Sequence, residues 1–246
     1  MPKRIICSFL LSFSFLGTFC FAQNSLSKET FDGQINKAPV LMTLTFDDNL
    51  IYGTLVYKRV GQAIKVIGSL ENGQVLLYEF DPKAEVTGVF FGTKKGNEIT
   101  GTWSKPSINK ELLFTLKKTS EIKTQTYPVS VTGTYAYNFG KEGGAGMFSV
   151  SQTGRERIVV EMQAYRGAPS YNQATIEKTT LKLAGNQAIY ESNEFGKCKL
   201  KLLFFEGGAA IIYQDEAFEC GFGNGATVTG NYLKTDNKPT KFEKQD

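Results

Sequence analysis

No histidine occurs among the 246 residues, which removes the commonest general base and the commonest zinc ligand. Triad chemistry of the Ser-His-Asp kind is excluded, and carboxylate, lysine or tyrosine catalysis is what remains. Two acidic clusters could supply it: Asp47-Asp48-Asn49, and Asp215-Glu216 with Glu219. Such oxygens hold calcium when about six to eight of them converge, and two carboxylates facing one cleft can hydrolyse glycosides. Neither cluster follows a known metal-loop spacing, and both fall where turn chemistry already favours Asp and Asn. They are read as solvated turns. Gly140-Lys141-Glu142-Gly143-Gly144-Ala145-Gly146 invites comparison with a phosphate cradle, which needs backbone N–H groups opening a helix. A β-type run from Met147 to Gln152 follows instead, so this stretch is read as a hairpin tip. No catalytic residue, metal site or cofactor is assigned.

The strongest candidate for contact is Tyr165-Arg166-Gly167-Ala168-Pro169-Ser170-Tyr171-Asn172, a loop joining two strand-like runs. Tyr165, Arg166 and Tyr171 are residue types enriched at binding hot spots. The competing reading has the two tyrosines packing over an open barrel end.

Compartment follows from the leader and the cysteines. Lys3 and Arg4 precede an apolar run from Ile5 to Phe21, and Cys20-Phe21-Ala22 puts small side chains three and one residues before a cut. Residues 1–22 are therefore expected to be a cleaved signal peptide, with the exported chain starting at Gln23. No basic stop-transfer cluster follows, and no transmembrane segment is expected in the mature chain. Loss of Lys3 and Arg4 lowers the formal charge from +4 to +2, which gives no bulk reason to bind nucleic acid. Cys7 and Cys20 leave with the leader. Cys198 and Cys220 remain, an even pair in an exported chain, and are expected to form a disulfide.

The elements that must position these residues are strands. Val40, Met42, Leu44 and Phe46 alternate with more polar neighbours, as do Leu76, Tyr78 and Phe80, and Leu112, Phe114 and Leu116. Ile158, Val160, Met162 and Ala164, then Leu200, Leu202 and Phe204, repeat the pattern in the second half. Period-two alternation signals antiparallel sheet with one buried face. Turn signals such as Asp47-Asp48-Asn49, Glu71-Asn72-Gly73 and Lys94-Lys95-Gly96-Asn97 punctuate the runs at short intervals, so sequential strands should pair as a meander. The chain is all-β: two antiparallel meander domains, each an eight- to nine-stranded barrel or sandwich. The first spans 27–118 and the second, carrying the disulfide, 132–234. A polar linker is expected over 119–131 and a loose polar tail over 235–246. Thr-Gly-x-aromatic recurs at Thr87, Thr100, Thr132 and Thr229, where a strand glycine permits a sharp bend and the aromatic covers it.

Cys198, Glu219-Cys220-Gly221-Phe222-Gly223 and Gly230-Asn231-Tyr232-Leu233-Lys234 resemble exported bacterial cell-envelope β domains of largely uncharacterised function. That resemblance covers about Gly133 to Lys234 and implies a periplasmic or secreted location. The first half resembles calycin-type barrels in strand count and in Gly101-Thr102-Trp103, although calycins carry their Gly-x-Trp on the opening strand. The functional expectation is a non-catalytic envelope binding module, its partner an envelope protein, a glycan or a small apolar ligand. Two alternatives stand beside it: an inhibitor of a lytic enzyme such as lysozyme, and a carboxylate-based hydrolase of envelope polymers.

Overall fold

The computed structural model describes residues 26–106, 108–124, 130–140 and 142–242; the expected signal peptide lies outside them. Its regular elements are all strands. The first eight are β1 (Leu26–Ile35), β2 (Ala38–Asp47), β3 (Leu50–Tyr57), β4 (Ala63–Glu71), β5 (Gln74–Phe80), β6 (Val86–Lys95), β7 (Glu98–Lys105) and β8 (Ile108–Thr124). The next eight are β9 (Gly133–Asn138), β10 (Ala145–Gly154), β11 (Arg157–Tyr165), β12 (Gln173–Ala184), β13 (Gln187–Ser192), β14 (Cys198–Phe205), β15 (Gly208–Phe218) and β16 (Gly230–Asp236). Each set pairs in sequence order and then closes on itself, β1 with β8 and β9 with β16. Two closed antiparallel barrels result, and closure settles the choice between barrel and sandwich. Asn36, Asp48 and Asn72 take positive φ at tight turns, a conformation that asparagine and aspartate tolerate better than most residues.

Alternation sends Phe31, Val40, Met42, Leu44, Leu77, Phe90, Phe114 and Leu116 into the first lumen, where they form one buried cluster. A buried carboxylate sits at each end of it. At the end with the short β2–β3 and β4–β5 turns, Glu29 faces Lys94 at 3.4 Å and Lys118 at 3.6 Å. At the opposite end Glu79 accepts hydrogen bonds from Tyr57 (3.2 Å), Thr87 (2.9 Å) and the Trp103 indole (3.3 Å). Trp103 lies over Gly88, where any Cβ would collide with its ring. On β5 the inward face is Val75, Leu77 and Glu79, so Leu76, Tyr78 and Phe80 point outward, and Phe80 is buried against the second barrel. Both faces of this strand are apolar, and period two alone did not say which one turned in.

Aromatic rings fill the second lumen. Tyr135 stacks on Phe148 at 4.6 Å, and Tyr232 meets the same ring edge-on at 4.8 Å. The two tyrosines come from a repeated Val-Thr-Gly-x-Tyr on β9 and β16, the pair that closes the barrel. Each donates its hydroxyl to the valine carbonyl four residues upstream: Tyr135 to Val131 at 2.7 Å and Tyr232 to Val228 at 2.6 Å. The motif satisfies a buried phenol locally while fixing how the chain enters the strand.

The domain boundaries shift. Residues 119–124, expected in a linker, continue β8 and pair with β1 down to Thr124 opposite Leu26. Polarity misled here, because this part of β8 faces water and ion pairs, with Glu121 held by Lys118 at 2.8 Å. The expected tail over 235–246 begins inside β16. Its carbonyls at Lys238 and Thr240 accept hydrogen bonds from Thr134 (2.8 Å) and Ser149 (2.9 Å), so these residues are tied to the barrel wall. The barrels touch side by side. Leu50, Tyr52, Ile67 and Phe80 of the first belong to the same buried cluster as Phe205, Ala210 and Leu233 of the second.

Candidate functional site

The two ends of the second barrel differ. Two-residue turns close one end at 155–156, 185–186 and 206–207, while segments 139–144, 166–172, 193–197 and 219–229 gather at the other. The last of these lies over the opening. Phe222 packs on the core beneath, and Ala226 and Val228 are buried. The Cys198–Cys220 disulfide anchors its start to β14, as the cysteine pairing predicts.

Glycines let this lid lie flat. Gly221 and Gly225 both have φ +71°, where an L side chain is strained. A Cβ at Gly221 would also collide with the Phe195 ring, and one at Gly225 with the Arg166 guanidinium. The lid is stitched to the loop after β11 and to the first residue of β12 by three hydrogen bonds. Arg166 donates to the Asn224 carbonyl at 3.3 Å, the Asn172 amide to the same carbonyl at 2.6 Å, and Gly223 N–H to Gln173 at 2.9 Å. Ala168 N–H donates to Glu142 at 3.1 Å, which joins the β9–β10 loop to the group.

Of the expected contact residues, Arg166 and Tyr171 are exposed and share this end; Tyr165 is half-buried where β11 stops, on the outer wall. Arg166 makes no ion pair among the described residues, so its charge is available to a partner. Phe195, 65% exposed, stands on the neighbouring 193–197 loop and was missed in the sequence. A lone aromatic in the polar run Ser192-Asn193-Glu194-Phe195-Gly196-Lys197 was the signal that could have found it. The assembly offers a cation, a phenol and a phenyl ring on backbone held by hydrogen bonds and a disulfide. This is the composition of a contact surface.

The acidic clusters separate. Asp215 pairs with Lys199 at 2.8 Å, and Glu219 accepts the Lys197 N–H at 3.1 Å. No group of three or more metal-ligating side chains occurs among the described residues. Asp47 and Asp48 instead line a cleft of about 660 Å³ between the barrels, with Glu71 and Lys201. Burial and the adjacent Asp48 carboxylate raise the Asp47 pKa, against the opposing pull of Lys201. None of the described segments is a helix long and apolar enough to cross a membrane. No family model matches the chain, and searches of curated proteins and of solved structures find no match.

Proposed function

We propose that this chain is an exported, non-catalytic binding module of the bacterial cell envelope that grips its partner with the lidded end of the second barrel. The observation that carries this reading is the lid itself. Three hydrogen bonds tie the backbone carrying Arg166 and Tyr171 to the lid, and a disulfide ties the lid to β14 beside the Phe195 loop, so little loop ordering is left to oppose association. Both lumens are filled by their own side chains, which favours an external contact over an enclosed small ligand. Tyr171→Ala, which removes no lid bond, should weaken capture of an envelope partner at an unchanged melting temperature. Arg166→Ala with Tyr171→Ala should weaken it roughly thirtyfold, about 2 kcal/mol, with a slightly lower melting temperature from loss of the Arg166–Asn224 bond. Full capture by this variant would remove the reading. Inhibition of lysozyme by the wild type, lost in the same variant, would narrow the partner to a lytic enzyme.

A second reading draws on the Asp47 cleft. Asp47, its pKa raised by burial and by the neighbouring Asp48 carboxylate, has the environment of a general acid beside a second acidic group. Hydrolysis of peptidoglycan abolished by Asp47→Asn would move the chain to the hydrolase class.

A further inference from the structure

The outer wall of the first barrel carries a separate surface. Register aligns outward side chains into rows running across the strands. Gln74, Thr93, Thr100, Thr115 and Gln34 form one row across β5, β6, β7, β8 and β1. Leu76, Phe91, Thr102 and Leu113 form the next. The side chains between them in sequence, including Val75, Phe90 and Phe114, fill the lumen, so these nine project outward. Phe91 is 58% exposed and Leu113 75%. None of the nine carries a charge, in a chain with 28 basic and 24 acidic side chains. The row on one side is Lys95, Glu98, Lys117 and Asp32, alternating in sign, so the neutrality is local.

We propose that this face binds a neutral glycan strand, at a site distinct from the lidded end of the second barrel. A charged polymer finds no counter-charge within the two rows. A protein partner needs a continuous apolar centre, whereas Thr102 separates Phe91 from Leu113, a row of hydroxyls and amides borders both on one side, and on the other Tyr78 and Val89 are packed against the second barrel. Barrel closure leaves no edge for an added strand. A neutral pyranose presents an apolar C–H face ringed by hydroxyls. The Phe91 ring stacks on that face, and the threonines and glutamines donate to and accept from the rim. Neighbouring strands lie about 4.8 Å apart, close to the length of one pyranose unit, so successive sugars meet successive strands from β6 to β8.

Calorimetric titration of the purified protein with cellohexaose and with chitohexaose tests the proposal, with polygalacturonate as the charged comparison. Saturable binding of at least one neutral hexasaccharide is expected, insensitive to added salt. Phe91→Ala should weaken it about tenfold or more at an unchanged melting temperature, since the ring is exposed, and Phe91→Trp should retain it. Arg166→Ala with Tyr171→Ala should leave it untouched. The proposal is overturned if neither hexasaccharide binds, if Phe91→Ala binds like wild type, or if only polygalacturonate binds. It also fails if the Arg166/Tyr171 variant alone loses the sugar. Sedimentation that shows a dimer broken by Phe91→Ala would assign the face to a second copy of the chain and overturn the proposal too.

Discussion

The rings of Tyr52 and Phe205 stack 4.4 Å apart, at an interplanar angle of 24°, although one belongs to β3 of the first barrel and the other ends β14 of the second. With Tyr78 against Phe139 at 5.3 Å and the Asn138 N–H donating to Ala84 at 2.9 Å, they join the barrels into one body. Phe205→Ala should cost about 3 kcal/mol and loosen that junction. Trp103, the single tryptophan, reports on the first barrel alone. In denaturant, its fluorescence and the far-ultraviolet dichroism should coincide in wild type and separate in the variant. Coincident, unshifted curves for Phe205→Ala would show that the stack holds nothing.

Replacing Cys198 and Cys220 by Ala opens a loop of 23 residues and should cost about 3 kcal/mol in the chain-entropy account. The lid should loosen first. Amide exchange at Gly223 and Ala226, whose N–H groups donate within or beneath it, would speed up before exchange in β10 and β11. Two free thiols in the folded, oxidised wild type would contradict the bridge.

Glu79→Ala would leave the Tyr57, Thr87 and Trp103 donors facing a gap. A cost of about 3 kcal/mol or more follows from stranding several partly buried donors. Glu79→Gln keeps an acceptor and should cost less. A red-shifted Trp103 emission in the alanine variant, together with a lower melting temperature, is the expected pair of readings.

Alkaline pH should unfold the protein through its phenols. Burial raises the pKa of Tyr57, Tyr78, Tyr135, Tyr137 and Tyr232 above the ordinary value of 10.0. A group whose folded pKa is raised lends stability that is complete below its unfolded pKa and lost as pH climbs through the folded one. Stability should therefore fall above pH 10, and spectrophotometric titration should show a late phase, from these five phenols, coincident with unfolding. One phase near pH 10 for all eleven tyrosines would refute the burial.

Most of the architecture was legible because it rests on local chemistry. Val40, Met42, Leu44 and Phe46 could turn only one way, and Asn72-Gly73 could make only a turn. Residues 119–124 were misassigned because an exposed strand held by Lys118–Glu121 pairs looks like a linker when its β1 partner is nearly a hundred residues away in sequence. The same distance hid the site. Nothing in Arg166 announces Asn224, and the lid exists only once the barrel has brought 219–229 over the 166–172 loop. The row holding Phe91 and Leu113 was equally hidden, since it is a property of register between strands and of no single one.

Closure of each barrel by its first and last strands has a kinetic consequence. A chain synthesised N-terminus first presents β1 long before β8, so the backbone groups of Leu26–Ile35 wait without their second partner until Phe114–Thr124 arrives. The second barrel repeats this delay, with Thr134 waiting for Asp236. Contacts so distant along the chain are reached late and slowly. During that interval an unpaired edge is open to any other extended chain. Two strands in turn therefore stand exposed during folding, and the hazard ends at each barrel only when its ring is shut.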